Sequence, residues 1–418
     1  MSYRYAVLGA GRQGIAAAYD MAKFGDAEEV LLVDFDPIVA EAAAKRVNGL
    51  LNRKVASSIQ ADVRNTSQLM SVLDGVTSFI SAVPYNFNLG ITEVAIRIGA
   101  SMCDLGGNTE IVRKQLEYDS EAKAAGITIV PDCGMGPGMN ISLATYAMSL
   151  VDRPREVYIW DGGLPQDKKP PWNYALTFNI GGLTNEYYGS AYFLRDGKII
   201  EVPCFEGFEE LDFPPPLGRL EAFVTSGGLS TAPWTFEGKL ERLENKTLRY
   251  PGHWAQFKAF SELGLLGLEP VQVGDVKVVP RDLLHVLLEP KITQPQIRDV
   301  CVIRAKCVGE KDGRRTEATV ELIDLYDDET GFTAMQRLTG WHASIIAILA
   351  AQGRILRGAV PVELVAPGQT VVEEARRRGF SIEESVVLHP QETCGGVRPG
   401  PEGMSTPLLW PVRKEKPG

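Results

Sequence analysis

"VLGAGRQGIAAAYDMAKFG", Val7 to Gly25, decides how the first third of this 418-residue chain is read. An apolar strand pattern, Tyr5–Leu8, runs into Gly9-Ala10-Gly11-Arg12-Gln13-Gly14 and then into a helical pattern. "EVLLVDFD" follows as a second buried strand, and its Asp34 falls twenty residues past Gly14. A glycine triplet alone is a weak signal. Between a strand and a helix, with an acid at this distance, it reads as a dinucleotide-binding turn. The glycines permit a tight turn, close approach to a pyrophosphate, and helix–strand contact. The helix N-terminus offers N–H groups and the positive end of its dipole to phosphates.

The alternation continues outward. Val55–Gln60, Thr77–Ala82, Ser101–Asp104 and Thr128–Pro131 read as strands, with helical patterns between them such as Asn108–Ala125. Six strands with intervening helices make an α/β doubly wound parallel sheet of Rossmann type. Ligands of such sheets lie beyond the carboxyl ends of the strands. The cofactor-facing residues expected there are Gly9, Ala10, Gly11, Arg12, Gln13, Gly14, Asp34, Asp62, Ala82, Val83, Pro84, Leu105, Gly106 and Pro137. Asp34 favours NAD, because a carboxylate accepts from a ribose 2′-OH and repels a 2′-phosphate. Arg12, inside the turn, weighs the other way. Asp62 is an adenine-side contact or a solvated loop acid.

"VPDCGMGPGMN", Val130 to Asn140, places three glycines and two prolines where the first domain ends. That much backbone licence suits a domain crossing or an active-site floor. Pro137 is expected in the first turn of the helix that follows. Beyond it, short strand patterns predominate, and "RDGK" and "KDGR" read as hairpin turns, Asp196-Gly197 and Asp312-Gly313. A second α+β domain with a mixed, largely antiparallel sheet is predicted. "HWAQFKAFSELG" reads as a helix within it. "TGWHASIIAILAAQG", Thr339–Gly353, reads as an apolar helix that packs back on the first domain. The boundaries expected are 1–132 for nucleotide binding and 133–336 for substrate and dimer contacts. Residues 337–390 form a helical segment returning to the first domain, and 391–418 a Pro- and Gly-rich tail.

Bulk properties narrow the class. Hydrophobic residues make up 44% and charged residues 23%, as in an ordinary soluble globular protein. A formal net charge of −10 argues against nucleic acid as a partner. No run is long enough to span a bilayer, and "MSYRYAVLGAG" enters a strand with no leader pattern. The six cysteines are scattered without CxxC or nearby histidines, so no metal site is expected and reduced thiols in a cytoplasm are the simplest reading.

Six stretches together resemble the saccharopine dehydrogenase-like oxidoreductases, within them most closely the L-lysine 6-dehydrogenase branch. They are "VLGAGRQG", "CDLGGN", "PDCGMGPGMN", "GGLPQDKKPPWNY", "LEAFVTSGGLST" and "KTLRYPGHWAQFK". The resemblance covers roughly residues 4 to 389 and implies NAD-dependent oxidation of the lysine ε-carbon, with release of ammonia, in a homodimer or larger oligomer. It implies that Pro131–Asn140 floors the space between cofactor and substrate, with Gly138 and Asn140 near the substrate. Amine oxidation needs a group to take a proton and a site that admits water. Tyr85, Asp104, Asp132 and His253 are the candidates, each with a structural alternative: cofactor packing for Tyr85, a loop or cap acid for both aspartates, a helix-start position for His253. Arg249, ending a strand in the most specific motif, is the candidate for the α-carboxylate, since a guanidinium offers two parallel hydrogen bonds. Arg219 and Arg242 stand next in line. Trp172 and Tyr174 wall the pocket or fill the core. Cys133 reads as a small packing residue. The competing readings are a saccharopine dehydrogenase, a carboxynorspermidine-type reductase, and an NAD-binding regulator without catalysis.

Overall fold

The computed structural model describes residues 2–390; the expected tail, 391–418, lies outside them. Two sheets organise the chain. The first has seven strands, all parallel, in the order Gly358–Ala359, Thr128–Val130, Ser101–Asp104, Ser78–Ser81, Tyr3–Leu8, Ala27–Asp34, Ala56–Gln60. Six of these were legible. The seventh is two residues long, too short for any periodicity, and arrives from the far end of the chain. The helical pattern over Asn108–Ala125 breaks into Thr109–Leu116, capped by the Asn108 side chain, and Asp119–Ala125.

The second sheet has nine strands. Its main path runs Glu209–Phe213, Gly218–Phe223, Arg242–Arg249, Arg153–Pro165, Asp299–Lys311, Arg314–Leu325, Ile382–Leu388, with the hairpin Ser190–Arg195/Lys198–Pro203 attached to Arg242–Arg249. Only Arg242–Arg249 against Arg153–Pro165 runs parallel. Both Asp-Gly turns join antiparallel strands, with positive φ at Asp196, Gly197, Asp312 and Gly313 as a two-residue hairpin turn demands.

Helix Ala334–Ala351 locks the two halves together. It starts five residues before the apolar run, because Thr333 and Gln336 form a capping box and the Asp299 carboxylate accepts from the N–H groups of Ala334 and Met335 at 2.7 and 2.9 Å. It lies against helix Arg12–Phe24 so closely that a Cβ on Gly340 would stand 2.8 Å from the Gln13 carbonyl oxygen. Gln336 also donates to the Arg12 carbonyl oxygen at 2.8 Å. The segment after it does not stay with the first domain: strand Ile382–Leu388 joins the second sheet beside Arg314–Leu325. Pro137 is likewise outside the helix it was expected to open. That helix is Met139–Ser149, and Gly138 at φ +137 ends a closed turn before it, with a bridge from Gly134 to Gly138. No helix among the described residues is long and apolar enough to cross a membrane.

Candidate active site

The fit of the glycine turn to a dinucleotide lies in what a side chain would meet at each glycine. At Gly9, with φ +92, a Cβ would stand 2.7 Å from the Ala82 carbonyl oxygen; at Gly14 it would stand 1.9 Å from the Gly9 carbonyl oxygen. Those two glycines serve the fold. A Cβ on Gly11 would meet nothing within 4 Å. Open space is therefore kept over the one glycine whose partner would be a pyrophosphate, at the start of helix Arg12–Phe24, where Gly11 supplies no side-chain cap. The Asp34 carboxylate accepts from the Ala10 and Asp36 N–H groups at 2.9 and 3.0 Å, which fixes it at the rim of this space. The residues present fit the cofactor. Arg12 does not reach toward the phosphate position: its Nη1 donates to the Leu176 carbonyl oxygen of the second domain at 3.2 Å. Asp62 is engaged by Arg64 through a charge-assisted pair that pulls its carboxyl down to about 2.

Next to the turn, Ala82 and Val83 pass over Gly9, and Pro84 and Tyr85 follow, Tyr85 more than a third exposed. The Tyr85 ring lies over Gly107, where a Cβ would come within 2.9 Å of it. Asp104 is turned inward. It is fully buried, and its oxygens accept from the N–H groups of Gly106 and Asp132 at 2.8 and 3.2 Å and from Gln115 Nε2 at 2.9 Å. With both oxygens held in this way, it fixes the Leu105–Gly107 loop and is not free to act on a substrate.

Asp132 differs. It is 2% exposed, holds φ +60, and its Oδ1 has no hydrogen-bond partner. Oδ1 rests on Gly106, where a Cβ would clash at 1.8 Å. Burial first, then the charges of Asp104 and Glu363, push its carboxyl up to about 7, against opposing pulls from Ser230 and the Gly107 amide. A carboxyl poised there exchanges protons readily near neutral pH.

The stretch after Asp132 bridges both domains. The Cys133 N–H donates to the Asp104 carbonyl oxygen at 2.7 Å, and Asn140 Nδ2 donates to the Gly228 carbonyl oxygen at 3.0 Å. A Cβ on Gly136 would stand 2.1 Å from Asp161 Oδ2. His342 holds the stretch from behind: its Nδ1 donates to the Cys133 carbonyl oxygen at 2.9 Å while its Nε2 accepts from the Ser142 hydroxyl at 3.0 Å. Burial keeps that imidazole neutral, its pKa down to about 4. Cys133 is fully buried, as a packing residue would be.

Across the floor stands a polar cluster on the second sheet and helix Ile180–Glu186. Arg249, 4% exposed, donates through Nε to the Tyr187 hydroxyl at 3.0 Å, through Nη1 to the Leu248 carbonyl oxygen at 2.9 Å, and through Nη2 to Glu186 at 3.2 Å. Tyr187 meets His253 Nε2 at 2.9 Å, and the imidazole stacks on Phe257 at 4.1 Å. Burial, with Arg249 adding, drives His253 well below its ordinary pKa. His253 is thus a neutral acceptor inside an aromatic cluster, which corrects its candidacy as a proton carrier. Tyr174 is buried against it and under the Arg249 guanidinium, whereas Trp172 packs on Phe260. Arg219 is paired with Asp212 and Glu210 on the surface, and Arg242 with Glu244 and Tyr158, so neither joins the cluster.

Two acids that the sequence reading missed complete the site. Asp161, bonded to Asn245 Nδ2 at 2.6 Å, is pushed up to about 6 by burial. Glu186 is raised by burial, although Arg249 opposes, and about a third of its side chain is open to solvent. Asp161 did carry a signal, as a charge inside an otherwise buried strand pattern. Glu186 carried none, because only the tertiary fold brings it to Arg249.

Residues 5–130 match the saccharopine dehydrogenase NADP-binding domain, and residues 134–379 match the saccharopine dehydrogenase C-terminal domain. The chain is 27% identical over 272 residues to a saccharopine dehydrogenase (NADP⁺, L-glutamate-forming) of Saccharomyces cerevisiae, a match that takes in 63% of this chain and 60% of the yeast protein. It is 22% identical over 389 residues to a carboxynorspermidine synthase of Vibrio cholerae, covering 88% of this chain and 91% of that one. The solved structure of the yeast saccharopine dehydrogenase in its apo form superposes with a TM-score of 0.74 at 21% identity, covering 92% of this chain and all of that one.

Proposed function

The chain belongs to the saccharopine dehydrogenase family, and from that premise we propose that it is an NAD-dependent dehydrogenase acting on the ε-amine of L-lysine. The products are allysine, which cyclises to piperideine-6-carboxylate, and ammonia. The observation that carries this reading is the charge balance of the cleft. Asp132, Asp161 and Glu186 all sit above the ordinary carboxylate range, and of the three only Glu186 has an ion-pair partner among the described residues, Arg249. Buried carboxyls short of a counter-charge favour a cationic guest. A diamino acid brings two ammonium groups.

When bound, the cofactor accepts the hydride from the carbon that carries the nitrogen. The chain's own residues do the rest. Asp132 takes the ammonium proton, which frees the nitrogen lone pair. Asp161 and Glu186 hold the cationic chain beside the Gly134–Gly138 turn. Water then adds to the resulting imine and ammonia leaves. Asp34 makes NAD the acceptor, by its carboxylate at the ribose rim. A second reading is supported by the Vibrio relative, which this chain matches nearly end to end: the same groups would serve a reductive C–N coupling of an amine to an aldehyde-bearing amino acid. A screen of lysine, ornithine, saccharopine and polyamines, read by absorbance of reduced cofactor with NAD and with NADP, separates the two. Lysine-dependent NADH formation with stoichiometric ammonia supports the first reading; its absence, with oxidation of a conjugate instead, supports the second.

A further inference from the structure

Three arginines among the described residues are buried: Arg249, Arg281 and Arg378. A buried guanidinium is costly unless a carboxylate answers it. Arg378 is answered by Asp20 and Glu374, at 2.9 and 2.7 Å. Arg249 is answered by Glu186, and its Nε and Nη1 are spent on Tyr187 and Leu248. Among the described residues, Arg281 has no carboxylate within ion-pair distance. Its Nε donates to the Leu266 carbonyl oxygen at 2.9 Å, its Nη2 has no partner at all, and its guanidinium lies over the Tyr188 ring at 4.5 Å.

The position is specific. Arg281 is in the first turn of helix Pro280–Ile292, which has no side-chain cap and whose dipole is positive at that end. The groups that act on its charge are Tyr188, Tyr85 and Asp282. Tyr85 comes from the nucleotide domain and lies over Gly107, whose amide faces Asp132. Tyr188 adjoins Tyr187, the residue that accepts from Arg249. Helix Pro280–Ile292 meets helix Ile180–Glu186 where His285 Nε2 and the Thr184 hydroxyl lie 2.7 Å apart, so Arg281, over Tyr188, stands on the side of the cleft that carries Glu186 and Tyr187.

We propose that Arg281, not Arg249, holds the α-carboxylate of the substrate, with Arg249 positioning Glu186 and Tyr187. This rests on the reaction proposed above only for the identity of the amino acid. An anion is what the site lacks, and a planar carboxylate matches the fork.

The test uses the full chain loaded with NAD and two probes. L-norleucine keeps the carboxylate and lacks the ε-amine; cadaverine keeps the amines and lacks the carboxylate. Norleucine binding is measured by calorimetry, and cadaverine oxidation by reduced-cofactor absorbance. Arg281→Met should weaken norleucine by roughly 30-fold or more, as loss of a buried charge-assisted contact does, while NAD affinity and cadaverine oxidation change little. Arg281→Lys, which keeps the charge without the fork, should recover part of the loss. Arg249→Met should lower turnover of lysine and of cadaverine alike. The proposal is overturned if wild type does not bind norleucine, if norleucine and cadaverine suffer equally, if the norleucine loss follows Arg249 instead, or if NAD affinity falls in step, which would assign Arg281 to a cofactor phosphate. Norleucine binding that depends on Arg281 in a protein that never oxidises lysine would sink the reaction and leave the carboxylate site standing.

Discussion

On the nucleotide side of the cleft, the surface kept for a ligand is main chain; on the facing side it is ionisable side chains. Gly11 holds open space and Gly9 and Gly14 hold the turn, so phosphate recognition there is a matter of backbone N–H groups and room. Opposite, Asp161, Glu186, Arg249 and Arg281 come from four separate elements, and all but the partly exposed Glu186 are charges taken out of water. The first kind of surface is cheap to keep and says little about the guest beyond its phosphates. The second costs folding energy and constrains the guest's charge and length.

Asp132 sits where the two surfaces meet, and its removal should have the largest effect. Asp132→Asn keeps the left-handed backbone, which asparagine tolerates well. The variant should lose about 10²- to 10⁴-fold in kcat, the usual worth of a positioned acid–base group. Its stability should move the other way. A carboxyl raised to about 7 in the fold, against about 3.9 unfolded, contributes stability at low pH that is lost as pH rises between those values. The neutral variant escapes that loss. Urea melts should show it more stable than wild type at pH 8, by up to about 4 kcal/mol, with the gap closing toward pH 4. A variant that is inactive and equally destabilised at both pH values would make Asp132 a structural residue.

The glycines sharpen the contrast within one turn. Gly14→Ala should cost the fold about 2–4 kcal/mol, since its Cβ would meet the Gly9 carbonyl oxygen. Gly11→Val should fold with wild-type stability and lose NAD binding, measurable by fluorescence titration. If Gly11→Val binds NAD normally, the open space over that glycine serves something else. The smallest effect is expected at the rim. Asp34→Ser should shift the NAD/NADP preference by about tenfold, near 1.4 kcal/mol, without altering lysine saturation. A wild type that prefers NADP at limiting concentrations would remove Asp34 from the ribose.

The same contrast explains what could be read from the sequence. The glycine turn, its flanking strand and helix and Asp34 lie within one local segment, and local steric rules write them into the order of residues. Both Asp-Gly hairpins were legible for that reason. Strand Gly358–Ala359 was not, because two residues carry no period. Strand Ile382–Leu388 was missed as a member of the second sheet, because pairing is a long-range fact. Arg249 stood out through its motif, yet its fork is largely occupied by its own neighbours. Arg281 lay in a plain amphipathic helix, and only burial without a carboxylate partner among the described residues draws notice to it. His253 looked like chemistry in the motif and became a neutral acceptor once Phe257, Tyr174 and Tyr187 closed around it.

In the reaction proposed here, the two surfaces together oxidise a diamino acid at its ε-carbon. The most direct measurement is the initial rate of NADH formation with L-lysine from pH 7 to pH 10, paired with an ammonia assay. A free ε-amine has a pKa of about 10.4, so subsaturating lysine should be oxidised faster in alkaline buffer, with one ammonia released per NADH. No reduction of NAD or NADP by lysine at any pH in that range, from protein that binds the cofactor and oxidises saccharopine or a carboxylated polyamine, would contradict the account.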